Sequence, residues 1–400
     1  MRDRKRWGVV GGLALVVAVT LAIVGVTTAS GGKSAKKPIV IGFAADLSGQ
    51  MAPFDNPAYT AAKLEAAKIN AAGGVNGAKL KIVACDTQNS KPDVSKSCVN
   101  NVVSKGAVIG MVTCDVDFAT AAIQQFLAKR MLTIAPCIGT DQMGPKRFGA
   151  LGKLAFSYGN VAQDEGAAMA EWAYNTKHWK TAALASNNLL VYFKTVVQAF
   201  KSRFTALGGK IVDEESYTTG QNDVGNAVSR LNGVKADVIV TSTSFGELPG
   251  LVSGLRSLGN ETPILNSWAG DGTYWVTKSP QVTNYYAVTY ASIAGDDPNP
   301  AVNAMAKAVK AGTGGFVTGA AAIDGIVAAI KRSGGSTNGA TLASKMQNFK
   351  KVPTISGLVS FSSKYHTVFG RQYQVIEVNN NTLKRVGSVT AKSPAPVQTK

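Results

Sequence analysis

A chain of 400 residues is longer than one hydrophobic core usually organises, so two folded lobes are the first expectation. A hydrophobic content of 45% with 16% charged residues excludes a disordered or fibrous chain. The formal net charge is +18, and residues 31–400 still carry 38 basic against 23 acidic side chains. No dense Lys/Arg run with interleaved aromatics accompanies that charge, so nucleic acid is not expected as a partner and attraction to an anionic cell envelope is the simpler account.

In chain order, Met1 to Trp7 is a basic segment, followed by an uncharged apolar run over 8–26 and the small residues Thr27, Thr28 and Ala29. This is an export signal. At 19 residues the run is also long enough to span a bilayer, so a signal cleaved after about Ala29 and an uncleaved anchor both stay open. It contains no cysteine, which excludes lipid anchoring there, and the basic flank places everything after Gly31 outside the cytoplasm, secreted or held at the outer face of the membrane. Residues 31–37 read as a polar linker.

The stretch 38–85 sets the plan for the rest of the chain. Ile39-Val40-Ile41-Gly42-Phe43 is a short β-branched run of the kind buried on both faces of a parallel sheet. Asn56-Pro57 suits a helix start, Ala61, Ala62, Ala66 and Ala67 give that helix a surface able to lie close on a sheet, and Gly73-Gly74 provides its stop. A second strand over 79–84 completes a strand–helix–strand unit, so the fold class is α/β, with functional loops at the strand C-termini. The pattern continues with helices over 93–105 and 118–129, strands over 107–113 and 131–135, and an extended piece over 153–158. A second run opens near Gln163 and has strands over 181–185, 210–213, 237–241, 263–266 and 285–291. Its helices are expected over 163–176, 192–207, 224–231 and 248–258. Ala71-Ala72-Gly73-Gly74 before Lys81-Ile82-Val83 is echoed by Ala206-Leu207-Gly208-Gly209 before Lys210-Ile211-Val212, which supports two similarly built lobes. Helices over 317–331 and 340–349 and strands over 357–361 and 373–378 come next, and 388–400 reads as a flexible tail.

Four cysteines in an exported chain suggest two disulfides. Of the three pairings, Cys85–Cys98 with Cys114–Cys137 is preferred, because each joins segments close in sequence.

The motifs Ile-Gly-Phe-Ala-Ala-Asp-Leu-Ser-Gly (41–49), Ile-Asn-Ala-Ala-Gly-Gly-Val-Asn-Gly (69–77), Cys85-Asp86-Thr87-Gln88 and Ala135-Pro136 together resemble the extracytoplasmic solute-binding proteins of the branched-chain amino-acid (Leu/Ile/Val-binding, type I) class that serve ABC transporters. The resemblance covers 38 to about 385. It implies a type I periplasmic-binding-protein fold, two Rossmann-like lobes joined by three chain crossings near Ser157, Ala291 and Tyr365. Lobe one would comprise 38–157 and 292–365, and lobe two 158–291 and 366–387. The implied partners are a small-molecule solute held between the lobes and a membrane permease, with closure about a hinge.

The pocket should then lie among the loops 48–55, 113–118 and 137–140 of lobe one and 187–192, 243–246 and 268–271 of lobe two. By resemblance, Thr140, or the backbone at Gly139, would meet a ligand carboxylate, and Ile138 on the same loop is counted with the ligand-binding residues. The position where relatives place a serine is Asp115, whose charge disfavours a plain α-amino acid. Tyr192 would pack on the ligand, Asp271 would pair its amine, and Phe54, Phe245 and Trp268 would form apolar walls. Asp115 and Asp117 facing the cleft suggest a solute with cationic, amide or hydroxyl character. A hard cation on Asp115-Val116-Asp117 is disfavoured, because the loop spacing and closing glutamate of a calcium site are missing.

Enzyme chemistry finds little support. His178 and His366 are the only histidines, and no nucleophile elbow, zinc motif, Walker A loop or dinucleotide fingerprint is present, so neither cofactor nor metal is expected. A transport receptor is the leading reading. A ligand-sensing module of the same fold, signalling to a membrane partner, is the alternative.

Overall fold

A computed structural model describes residues 36–218 and 221–397. The expected leader, all but the end of the linker and the final three residues lie outside them. The first sheet is built from β1 (Ile39–Ala45), β2 (Leu80–Asp86), β3 (Ala107–Val112), β4 (Leu132–Ala135) and β5 (Ala155–Asn160), connected by α1 (Ala52–Ala71), α2 (Pro92–Ser104), α3 (Val116–Ala128) and the short α4 (Pro145–Phe148). The second unit runs α5 (Ala162–Glu171), β6 (Thr181–Asn187), α6 (Val191–Ala206), β7 (Lys210–Tyr217), α7 (Gln221–Asn232), β8 (Val238–Ser242), α8 (Glu247–Ser257), β9 (Ile264–Asn266) and β10 (Tyr285–Thr289). The chain then returns through α9 (Pro300–Val309), α10 (Val317–Arg332), α11 (Gly339–Gln347), the small hairpin β11 (Val352–Thr354) and β12 (Gly357–Val359), and β13 (Thr367–Val368). It closes on β14 (Tyr373–Asn379) and β15 (Thr382–Val389).

Sheet order is β13-β5-β4-β3-β1-β2 in one lobe and β15-β14-β10-β9-β8-β6-β7 in the other. Apart from the added edge strands, each lobe has its first strand between its second and third, the doubly wound order whose switch point opens a crevice at the strand C-termini. β1 is buried along its whole length, as a strand covered by helices on both faces must be. A Cβ on Gly319 would fall 2.0 Å from the Ala58 carbonyl, so glycine there lets α10 press directly on α1 and fixes where α1 presents Phe54.

The crossings come after Asn160, Thr289 and Val368, and they are tied to one another. Val161 N–H donates to the Val368 carbonyl (2.8 Å), and Asn160 N–H to the Tyr290 hydroxyl (3.1 Å). Gly370 N–H donates to Asp164 (3.1 Å), while buried Arg371 lies over the Tyr290 ring. The first and third crossings come later than Ser157 and Tyr365 because β5 runs on to Asn160 and His366 stacks on Phe156 within the first lobe.

Two local expectations are corrected. α1 starts before Asn56-Pro57: Pro53 takes the first turn, and Asn56 instead donates to the Leu47 carbonyl (3.0 Å). Of the stretch expected as a flexible tail, Ser388 and Val389 finish β15 and residues 390–397 are laid along α5, with Lys392 N–H donating to Glu171 and Ala395 N–H to the Gln163 carbonyl.

Candidate functional site

The loops after β1, β3 and β4 form the lobe-one side of the cleft, and buried carboxylates hold them. Asp46 accepts from the N–H groups of Gly49 (2.9 Å), Met51 (3.0 Å) and Asn89 (2.8 Å). Asp55, fully buried, accepts from Asp46 N–H (2.7 Å) and Cys114 N–H (2.9 Å), pinning the β1 loop to the end of β3. Burial pushes its carboxyl up to about 7, against the pull of these donors and Thr113. Cys114 is bonded to Cys137 at the end of β4, and Cys85 of β2 to Cys98 of α2, with Cα separations of 4.7 and 5.5 Å.

Asp115 is the N-cap of α3: its Oδ1 accepts from Asp117 N–H (2.8 Å) and Phe118 N–H (3.3 Å). Burial and the neighbouring Asp117 charge raise its pKa to about 7. Asp117 points elsewhere. It pairs with Arg147 (2.7 Å) and, across the cleft, accepts from Val191 N–H (3.2 Å) at the first turn of α6. That helix has no side-chain cap of its own, so the opposite lobe supplies one.

The lobe-two side is aromatic. Phe54, carried by α1, packs edge-on against Phe245 (6.1 Å between centroids), Trp268 (5.5 Å) and Tyr274 (5.5 Å). Tyr192 lies on Gly139, where a Cβ would come within 2.5 Å of its ring. Behind this wall Glu165 of α5 accepts from the Tyr192 hydroxyl (2.9 Å) and Trp268 N–H (2.7 Å). Its burial raises the carboxyl to about 8.

Phe54, Asp115, Gly139, Tyr192, Phe245 and Trp268 thus converge on one cavity of about 20 Å³, together with Met51, Cys114, Leu190, Phe193, Ser244 and Ala269. Four sequence candidates do not reach its wall. Asp117 bridges the lobes instead. Ile138 is buried, its carbonyl accepting from Ser157. Thr140 is buried too, its hydroxyl accepting from Gln142 N–H (3.3 Å) and its carbonyl from the Thr367 hydroxyl (2.7 Å). Asp271 turns to the hinge, where one oxygen accepts from Gly314 N–H (2.8 Å) and the Thr289 hydroxyl. Burial raises its pKa to about 7. A wider depression of about 620 Å³ lies at the opposite end of the second sheet, at the N-terminal ends of β6, β8 and β9 around residues 232–237 and 258–262, and is open and polar.

Sequence reasoning missed Glu165, although an Asp-Glu pair in a short helix whose remaining residues, Gln163 and Glu171 apart, are Ala, Gly and Met is a signal of buried polar work. It also missed Phe193 and Ser244, which adjoin residues it did select.

The model of the family described as periplasmic binding protein matches residues 38–382. A Leu/Ile/Val-binding protein homolog 3 from Brucella melitensis biotype 1 is 25% identical over 333 residues, spanning 81% of this chain and 87% of its own. Among solved structures, the branched-chain amino acid transporter substrate binding protein LivJ of Streptococcus pneumoniae, in complex with isoleucine, superposes with a TM-score of 0.73 at 20% identity, covering 88% of this chain and 99% of that one. A solute binding protein of an ABC transporter from Rhodopseudomonas palustris BisB5, in complex with 3,4-dihydroxy benzoic acid, gives 0.73 at 18% identity, covering 89% and 98%. Two doubly wound lobes, a cleft between their strand C-termini and a family match along nearly the whole described chain lead to one conclusion: the protein belongs to the periplasmic binding protein family, whose members are extracytoplasmic solute carriers and not catalysts.

Proposed function

We propose that this chain is the extracytoplasmic receptor of an ABC transporter, capturing a small polar solute (an amino acid, an amide or a related compound) between its lobes and presenting it to a membrane permease. The observation that carries this reading is the convergence of loops from both sheets, after β1, β3, β4, β6, β8 and β9, on a single aromatic-walled cavity. Relatives named for leucine, isoleucine and valine binding, and a neighbour holding an aromatic acid, support a solute of about that size. The basic, apolar N-terminal segment supports delivery outside the cytoplasm by a cleaved signal or an uncleaved anchor.

The test is a thermal-shift screen of the purified protein against amino acids, amides, polyamines, urea-like compounds and aromatic acids. It is paired with small-angle scattering on any hit. A micromolar binder in hundredfold excess stabilises the folded state by about 2.7 kcal/mol and gives a clear rise in Tm. Chemical conversion of a hit, or a flat screen with no compaction, would end the reading.

A further inference from the structure

We propose that the cleft is built for an organic cation, an amine on an apolar or aromatic body without a carboxylate. The inference rests on the receptor reading and narrows it.

In a doubly wound sheet the helix N-termini facing the crevice are the natural seats for an anionic ligand group, because their free N–H groups point into it. Here the chain's own carboxylates fill those seats. Asp46 takes the Met51 N–H at the start of α1, Asp115 takes the first N–H groups of α3, and Asp117 reaches over to Val191 N–H at α6. Among the described residues the cavity wall holds no Lys, Arg or His, and Asp115 is its single charged side chain. Arg147, the cation close enough to act on Asp115, is committed to Asp117 (2.7 Å) and Gln142 (2.9 Å). A carboxylate entering this cavity would find no counter-ion in a poorly solvated space, and it would face Asp115, whose buried carboxyl an incoming cation, and not an anion, would help to ionise.

A cation meets the opposite situation. Both capping bonds of Asp115 go to Oδ1, so Oδ2 remains an acceptor for a solute N–H. Phe54, Tyr192, Phe193, Phe245 and Trp268 line the same cavity as Asp115 with aromatic rings, which attract cations over their faces. The Trp268 indole N–H, in a side chain only 4% exposed, has no partner and provides a donor for a hydroxyl or ether oxygen on the solute. At about 20 Å³ the cavity holds a single water, so the solute enters as the lobes part and Phe54 withdraws from among Phe245, Trp268 and Tyr274. The apolar body of the amine then takes the place of that ring.

The experiment is thermal shift and titration calorimetry on the purified protein with two matched series: 3-methylbutylamine, leucine and 4-methylpentanoate, and phenethylamine, phenylalanine and 3-phenylpropanoate. The expected result is that the amine of at least one series binds a hundredfold or more tighter than its amino acid and its acid. An acid or amino acid that binds as well as the amine overturns the inference and leaves the receptor reading standing. A flat response to all six overturns it as well, whereas the receptor reading fails only if the wider solute screen is also flat. Asp115→Asn keeps an amide oxygen for the α3 N–H groups and should retain the circular-dichroism spectrum while weakening the amine at least tenfold. Unchanged affinity in that variant also overturns the inference.

Discussion

The two lobes share a strand order but secure their halves of the cleft by different chemistry. Lobe one has both disulfides and a network of buried carboxylates bonded to backbone N–H groups, which fix the loops after β1, β3 and β4 to one another. Lobe two has no disulfide. Its face is a set of rings, Phe245 and Trp268 packed edge-on about Phe54 and Tyr192 tilted on Trp268, with Tyr192 and Trp268 steadied from behind by Glu165. Buried hydrogen bonds hold the lobe-two loops as well, Asn187 to Thr243, Thr243 to Asn266 and Ser242 to Ser267. The contrast is therefore covalent bracing and carboxylates in lobe one, the rigid jaw, against neutral amide and hydroxyl bonds and ring packing in lobe two, the aromatic jaw.

The largest expected effect breaks the aromatic jaw. Trp268→Ala removes a nearly buried ring packed on Phe54, Tyr192 and Tyr290, and should destabilise the protein by about 3–5 kcal/mol in urea unfolding. A loss below about 1 kcal/mol would show that this face is not packed. Breaking the rigid jaw comes next: Cys114→Ser with Cys137→Ser frees a 23-residue separation and should cost about 3 kcal/mol, with faster hydrogen exchange at the loops after β3 and β4 but not after β8 and β9. Equal acceleration at both sets of loops would erase the contrast.

A pH series sharpens it. Burial raises the carboxyls of Asp55, Asp115, Asp164 and Asp271 to about 7 and of Glu165 to about 8. The folded chain therefore holds protons that the unfolded chain has released, and stability must fall as pH rises through 7 and 8. Burial lowers the pKa of His366 and works in the opposite direction, but only below its ordinary value of 6.5. Between about pH 6.5 and 8.5 the Tm should drop, and Glu165→Gln should flatten the upper part of the fall. A Tm that rises across this window would contradict the assignment. The smallest effect is Asp117→Ala, which removes the cap lent to α6 and should shift the balance between closed and open lobes by about 1 kcal/mol, read as a larger radius of gyration at unchanged secondary structure.

Much of the fold was legible because buried parallel strands announce themselves as short β-branched runs and because Gly73-Gly74 and Gly208-Gly209 end matching helices, α1 and α6. α9 and β15 were not. α9 comes after a Pro- and Asp-rich loop that reads as irregular, and β15 is an edge strand whose half-exposed alternation includes Lys384 and Arg385. The loops of the cleft could be named in advance because the sheet's topology dictates them. Which way each side chain turns within a loop could not. Thr140 and Asp271 sit on the expected loops, yet the Thr140 hydroxyl accepts from Gln142 N–H on its own loop and Asp271 from Gly314 N–H just before α10, since backbone donors there needed partners.

The cap that Asp117 lends to α6 joins gape and contour. Whenever the jaws separate, the first turn of α6 surrenders its acceptor to water and Arg147 keeps its carboxylate alone, immediately beside Tyr192. On the receptor reading, the surface a solute first touches is therefore not the one that finally encloses it.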